Sequence, residues 1–168
     1  MGISAPTPLT DQHQLNAFRC SIEALDNWLT KQALKSQKNG TARVYVVNDT
    51  TTHQVVGYFA IAMGSVSREQ AFSSLKRNSP DPIPMVILAR LGVDTAYQGH
   101  GIAAGLLKDC LLRSIQAMSV VGGAGILVHA IDHSAQQFYK KFGFKESAFD
   151  PLVLMARICD VEKTLSSS

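Results

Sequence analysis

The chain has 168 residues, of which 46% are hydrophobic and 17% charged, and its formal net charge is +3. That length fits one domain able to bury its own core without disulfide or metal staples, and the composition excludes a disordered chain. The weakly basic balance permits an anionic partner without requiring one.

The first helix signal is Ser21 as a candidate N-cap, followed by Ile22, Leu25, Trp28, Leu29 and Ala33 on one face and Asn39-Gly40 as the stop. Arg43–Asn48 and Gln54–Met63 read as two strands, and the polar turn Asp49–His53 between them predicts an antiparallel hairpin. A helical or irregular segment is expected around Ser67–Lys76. Ser79–Pro84 is too rich in proline for anything but an extended lead-in.

Met85–Val93 is the best central strand. The long helix follows, with Ile102, Leu106, Leu107, Cys110, Leu111, Ile115 and Met118 at helical spacing before Gly122-Gly123. Gly125–Ala130 reads as a short buried strand, Ser134 as the cap of a helix reaching about Phe142, and Leu152–Ile158 as a last strand. The order predicts an α/β (α+β) fold with a mixed central sheet flanked by helices, forming a single domain over residues 1–165 with 166–168 as a disordered tail. Cys110 and Cys159 lie in apolar runs and read as core residues in a reducing compartment. No basic-then-apolar leader appears, and no apolar run nears the ~20 residues of a membrane span, so a soluble, cytoplasmic protein without membrane contact is expected.

The stretch Ala96–Leu107, AYQGHGIAAGLL, places three glycines and three alanines at a strand-to-helix junction. Such a junction presents unpaired amides and a helix dipole of about half a positive charge to an anion. Tight packing of helix on sheet would explain one glycine and Ala104, but it explains the cluster poorly. No Gly-Lys-Ser/Thr follows, which excludes a P-loop. Gly99-His-Gly101-Ile-Ala-Ala104 satisfies a loose dinucleotide pattern, yet residues 117–124 lack the acid expected about 20 positions on.

Gln98-x-x-Gly101-x-Ala103 matches the Q/R-x-x-G-x-G/A signature, and Phe138-Tyr139-Lys-Lys-Phe142-Gly-Phe144 the FYxxxGF segment, of the acetyl-CoA-dependent N-acetyltransferases called GNAT. The chain resembles that family along nearly its whole length, which implies the GNAT fold with splayed central strands. The resemblance implies that the coenzyme A pyrophosphate lies against Gly99, His100, Gly101, Ile102, Ala103 and Ala104 next to Gln98. Pantetheine would run beside Leu91, Gly92 and Val93, between that strand and Gly125–Ala130. Ser134, Tyr139 and Phe142 would complete the cofactor contacts. His100 stands where many members carry Arg or Lys.

Phe18–Leu29, Ala42–Val47 and Pro80–Asp94 are further similar to the toxins of type II toxin–antitoxin pairs. That narrower resemblance implies acetylation of the α-amino group of aminoacyl-tRNA, blocking translation. It also implies a ribbon-helix-helix antitoxin, a homodimer, and DNA contact only through the antitoxin.

Tyr139 has two readings. Phe138, Tyr139 and Phe142 form an aromatic core stripe; alternatively the phenol, titrating near ~10, delivers a proton to a departing thiolate whose acid titrates near ~8.5. The match to the family favours catalysis. A backbone N–H near Val93 would support the oxyanion. No glutamate occurs between Glu69 and Glu146. An acceptor with an α-amino group, near ~7.7–8.0 and lowered further by an adjacent ester, needs a base less than a lysine near ~10.4 does. Asp94 or Asp132, acting through water, would be an alternative base.

Arg90 on the central strand either pairs with Asp94 or reaches the acceptor phosphates. Lys31, Lys35, Lys140 and Lys141 are tRNA-backbone candidates or ordinary solvated faces. His129 and His133 cross a turn without further ligands nearby, so no metal is expected. Two other functions remain open: acetylation of protein or small-molecule amines, and a non-catalytic acyl-CoA-binding co-repressor.

Overall fold

The computed structural model describes residues 2–166 of the chain. The elements run β1 (Thr7–Pro8), α1 (Glu23–Lys31), α2 (Ala33–Asn39), β2 (Arg43–Asn48), β3 (Val55–Val66) and α3 (Ser73–Lys76). They continue with β4 (Ile83–Val93), a 3-10 turn at Thr95–Tyr97, α4 (Ile102–Val121), β5 (Gly125–His129), α5 (His133–Lys140), β6 (Lys145–Glu146), β7 (Val153–Arg157) and α6 (Ile158–Ser166). The seven strands form one mixed sheet in the order β1-β2-β3-β4-β5-β7-β6. As expected, β2 and β3 form an antiparallel hairpin, from Arg43↔Ile61 to Asn48↔Val55. β4 pairs with β5 in parallel from Met85↔Gly125 to Leu88↔Val128.

The chain divides into two compact units: residues through Ala62 with Ala89–Cys110, and Met63–Leu88 with the chain from Leu111 onward. In the first unit, Leu25, Leu29 and Ala33 pack with Phe18, Val44, Val46 and Tyr58. The Tyr58 hydroxyl donates to the Leu25 carbonyl at 2.8 Å, so the phenol is buried with its polar end satisfied. In the second, Val66, Leu75, Ile83, Met85 and Met155 form the core, with Leu127 and Val153 against it. Each such fully buried aliphatic side chain contributes about 1.5–3 kcal/mol relative to an exposed one. Along α4 the buried residues Leu106, Leu107, Cys110, Leu111, Ser114 and Met118 keep the predicted helical spacing.

Several local expectations are corrected. Ser21 does not cap α1: its φ is +75°, and the cap position is Ile22, with no side-chain bond. Asp26 instead accepts from the Cys20 amide at 2.9 Å. The predicted single helix is two, parted at Gln32 (φ −121°, ψ −27°), where no glycine or proline marks the break. Gly40 does end α2 in the left-handed conformation.

Ser134 is the second residue of α5; the cap is Asp132, whose Oδ1 accepts from the Ala135 amide at 2.9 Å. Cys159 is exposed, not core, because α6 begins at Ile158 where the strand was expected to end. That helix is joined to β7 by a two-bond pairing of Arg157 with Asp160 (3.0 and 3.1 Å). Ser166, expected in a tail, is its last residue; Ser167 and Ser168 lie outside the described residues. No helix among the described residues is long and apolar enough to cross a membrane.

Candidate active site

In the first unit the chain leaves β4 at Val93 through a heavily bonded turn. Asp94 Oδ1 accepts from the Ala96 amide at 2.9 Å and Oδ2 from the Arg19 amide at 3.0 Å. The Thr95 amide donates to the Arg19 carbonyl at 2.8 Å. Tyr97 then donates its hydroxyl proton to Asp49 Oδ2 at 2.7 Å. Gln98 folds back, its Nε2 donating to the Val93 carbonyl at 2.9 Å. The amide of Gln98 thus closes the turn it follows.

Past Gln98 the chain opens out. Gly99 and Gly101 have φ of +83° and +80°, and a Cβ built on either meets no protein atom within 4 Å. Packing of helix on sheet therefore does not explain these two glycines. The left-handed backbone does, since it costs an L-residue about 1–2 kcal/mol. α4 starts at Ile102 with no acidic residue in its first turn. The Gly105 amide bonds the Gly101 carbonyl at 3.1 Å, so the amides of Ile102, Ala103 and Ala104 precede the first intrahelical bond. His100 is exposed between the glycines. The result is a row of donors on an uncluttered surface, suited to an anion.

Leu91, Gly92 and Val93 form the last turn of pleat in β4. Val93 and Gly92 are buried, and Gly92 lies beside Leu25, Phe18 and Cys20. Ala89, although within the strand, is exposed. Arg90 does not pair with Asp94, whose oxygens serve the two amides. Its guanidinium carbon lies 4.7 Å from the Trp28 ring centre, and its Nε is buried without a hydrogen-bond partner. Lys31 and Lys35 are exposed on α1 and α2.

In the second unit Tyr139 is 6% exposed on α5. It sits edge-on to Phe138 (5.3 Å, 70°) and Phe144 (5.8 Å, 62°), while Phe142, in the turn after the helix, packs on Phe138 at 5.3 Å. The aromatic-stripe reading is therefore correct as packing. Ser134 is exposed in the first turn of the same helix. One turn before Tyr139, the buried Gln136 donates from Nε2 to Glu146 Oε1 and to the Pro151 carbonyl, each at 2.7 Å. Glu146 also pairs with Lys140 at 3.1 Å, whereas Lys141 is exposed. Asp132 is exposed and caps α5 through Oδ1 alone, whereas both oxygens of Asp94 are engaged. His129 and His133 are both exposed, and no group of three or more His, Cys, Asp or Glu gathers among the described residues.

Asp49, Tyr97 and Gln136 carry local order that the sequence did not flag. Asp49 has a local signal, because a turn aspartate commonly bonds the amides two and three residues on, here Thr51 at 2.8 Å and Thr52 at 3.2 Å. Its link to Tyr97 spans 48 positions and has no local signal. The Tyr97 hydroxyl, then the Thr51 and Thr52 amides, hold the Asp49 carboxyl below the usual carboxylate range. The same bond raises the Tyr97 phenol.

Comparison with known proteins gives a consistent result. The family model described as an acetyltransferase (GNAT) domain matches residues 40–146. A tRNA-acetylating toxin of Mycobacterium tuberculosis is 39% identical over 159 residues, 95% of each chain. The structure of AtaT complexed with acetyl-methionyl-tRNAfMet superposes with a TM-score of 0.88 at 29% identity, covering 97% of this chain and 99% of that one. A mutant AtaT toxin bound to the C-terminus of the antitoxin AtaR and acetyl-CoA gives 0.81 at 26%, covering 99% of each.

Proposed function

For a chain that belongs to the GNAT acetyltransferase family, we propose the activity of a toxin that transfers acetyl from acetyl-CoA to the α-amino group of aminoacyl-tRNA and so inhibits translation. Residues 1–165 act as one acetyltransferase domain, since the family match at 40–146 draws on both compact units. Coenzyme A places its pyrophosphate on the amides of Gly99–Ala104 and its pantetheine along Leu91–Val93, with Ser134 and Phe142 as further contacts. The open glycine turn and the acetyl-CoA complex of a similar toxin support that placement.

The chemistry follows from the bonds that change. The amine nitrogen attacks the thioester carbonyl, and a backbone N–H near Val93 supports the tetrahedral oxyanion. Collapse forms the amide and breaks the carbon–sulfur bond. Tyr139 gives its phenolic proton to the departing sulfur, the nitrogen releases its own proton to water, and Tyr139 is reprotonated from solvent.

The observation that carries the acceptor assignment is the commitment of Asp94 and Asp132 to capping bonds. With both oxygens of Asp94 and one of Asp132 engaged in turns, the acceptor that suits the site is one already neutral near pH 7. An aminoacyl ester meets that condition, and a lysine near ~10.4 does not. The likeness to a tRNA-acetylating toxin points the same way. Arg90, Lys31, Lys35, Lys140 and Lys141 supply phosphate contacts to the tRNA. We further propose that the protein is cytoplasmic, works as a homodimer and is neutralised by a ribbon-helix-helix antitoxin, which alone contacts DNA; the antitoxin segment bound to a similar toxin supports a partner of that kind.

The test offers acetyl-CoA with charged tRNA, uncharged tRNA, free amino acids, polyamines and bulk protein, to wild type and Tyr139→Phe. Acetyl is expected on charged tRNA only, with the Tyr139→Phe rate down about 10²–10⁴-fold. Acetylation of free amines or protein but not charged tRNA would transfer the assignment to the amine acetyltransferases. Equal rates for the two proteins would remove Tyr139 from its acid role.

A further inference from the structure

Before Gln98, the turn after β4 is fixed by hydrogen bonds at every residue; after it, the chain is open. Two carboxylates hold it. Asp94 bonds the Ala96 amide two positions on and the Arg19 amide 75 positions back. Asp49 works from the β2–β3 turn, where its Oδ1 is bonded to the Thr51 and Thr52 amides and its Oδ2 accepts from Tyr97 at 2.7 Å. The hydroxyl of Tyr97 is thus a side-chain tie between the residue adjoining Gln98-Gly99-His100-Gly101 and a hydrogen-bonded hairpin turn 48 positions away in sequence.

From this we infer that Tyr97 and Asp49 are a positioning pair that pre-forms the phosphate-binding turn, setting the affinity for acetyl-CoA without taking part in the acetyl transfer. The inference rests on the cofactor placement proposed above. A Cβ built on Gly99 or Gly101 meets no protein atom within 4 Å, so no side chain packs where a Cβ would stand and their conformation is held from the flanks. The α4 helix holds one flank and the Tyr97 tie the other. A turn left free on that side populates other conformations, and the apparent affinity falls by the fraction lost. An acidic side chain beside an anion site would otherwise be unfavourable; here the Asp49 oxygens are engaged by three donors and its charge is spread over them.

The test is a double-mutant cycle on Tyr97→Phe and Asp49→Ala, reading acetyl-CoA dissociation constants by calorimetry and KM and kcat with saturating charged tRNA. Tyr97→Phe is expected to raise both the dissociation constant and KM for acetyl-CoA about tenfold, with kcat within about twofold of wild type. In the Asp49→Ala background the same substitution should change neither. Failure of wild type to bind acetyl-CoA would sink the cofactor placement itself. Normal binding by wild type with equal affinity in Tyr97→Phe would overturn the positioning pair alone. A tenfold loss that persists in the Asp49→Ala background would show that the hydroxyl acts on the cofactor directly, which also overturns it. If either variant loses thermal stability, the KM-to-kcat split still decides, because partial unfolding lowers active enzyme and kcat together.

Discussion

The guanidinium carbon of Arg90 lies over Trp28, 4.7 Å from the ring centre. Trp28 in turn stacks on Tyr58, with centroids 6.1 Å apart and planes 10° from parallel. A charged residue on a central strand is thereby tolerated without a carboxylate partner. Its Nε is buried without a hydrogen-bond partner, and the function proposed above gives the guanidinium a tRNA phosphate. Arg90→Ala is expected to weaken binding of charged tRNA and to reduce the slope of log affinity against log salt by about one. Acetyl-CoA affinity should stay as in wild type. Filter binding over a salt series checks this; an unchanged slope would assign Arg90 to structure.

The glycines of the phosphate turn should separate by conformation. Gly101→Ala places a Cβ on a backbone at φ +80° and in the space proposed for the pyrophosphate. It should lower the melting temperature by about 2–8 °C through strain of 1–2 kcal/mol. It should also raise KM for acetyl-CoA well beyond what that strain explains. Gly105 has equally empty surroundings, but it lies inside α4 on ordinary helical backbone. Gly105→Ala is expected to raise the melting temperature of the free protein, by about 0.8–1 kcal/mol of helix propensity. Thermal melts with and without coenzyme A read both effects.

Gly125 opens β5 opposite Arg157 of β7. A Cβ there would run into the carbonyl oxygen of Ala156, which is backbone and cannot swing away. Gly125→Ala should destabilise the protein by at least about 3 kcal/mol, the upper end for overpacking a well-filled site. Denaturant unfolding measures it, and a loss under 1 kcal/mol would contradict the close approach of the strands.

Asp160 is held below its usual range by the hydrogen bonds from Arg157. A carboxyl whose folded pKa is depressed stabilises the fold above its unfolded value, near ~3.9, and loses that contribution as pH falls through the folded value. The melting-temperature gap between wild type and Asp160→Asn should therefore be constant from about pH 5 to pH 8 and close below about pH 4. The pair is partly exposed, with side chains 32% and 25% accessible, so the gap corresponds to no more than about 1 kcal/mol.

Burial, with the neighbouring Asp26 bond, pushes the Cys20 thiol up to about 11, and Cys110 is buried as well. Cys159 is exposed at the start of α6. Native protein at pH 8 should take up one equivalent of iodoacetamide, at Cys159, and three after denaturation. Peptide mass mapping identifies the site; modification of Cys20 in the folded protein would be inconsistent with its packing.

The sequence made the catalytic frame legible because its features are local. The β2–β3 hairpin, the helical spacing of α4 and the Gln98-x-x-Gly101-x-Ala103 turn each depend on residues within a few positions of one another, where period and turn chemistry act directly. The misreadings have local causes too. Ser134 and Ser21 looked like caps because serine suits that position, but Asp132 caps α5 and the backbone at Ser21 turns left-handed. α6 is hidden in the sequence because its one buried residue, Val161, follows a strand whose largely apolar run continues to Ile158.

What the residues by themselves determined is the order of elements, the glycine-lined helix start and the family to which such a chain belongs. These rest on short-range geometry and on motifs read within single stretches. Tertiary structure alone decided which polar groups are free for chemistry. It commits Asp94, Asp132 and Gln98 to turns, lays Arg90 on Trp28, and ties Tyr97 to Asp49. Hydrogen-bond donors and acceptors are satisfied by whatever the fold brings near them, and partners 48 or 62 positions apart (90 − 28 = 62 for Arg90 and Trp28) share no local pattern from which the pairing could be read.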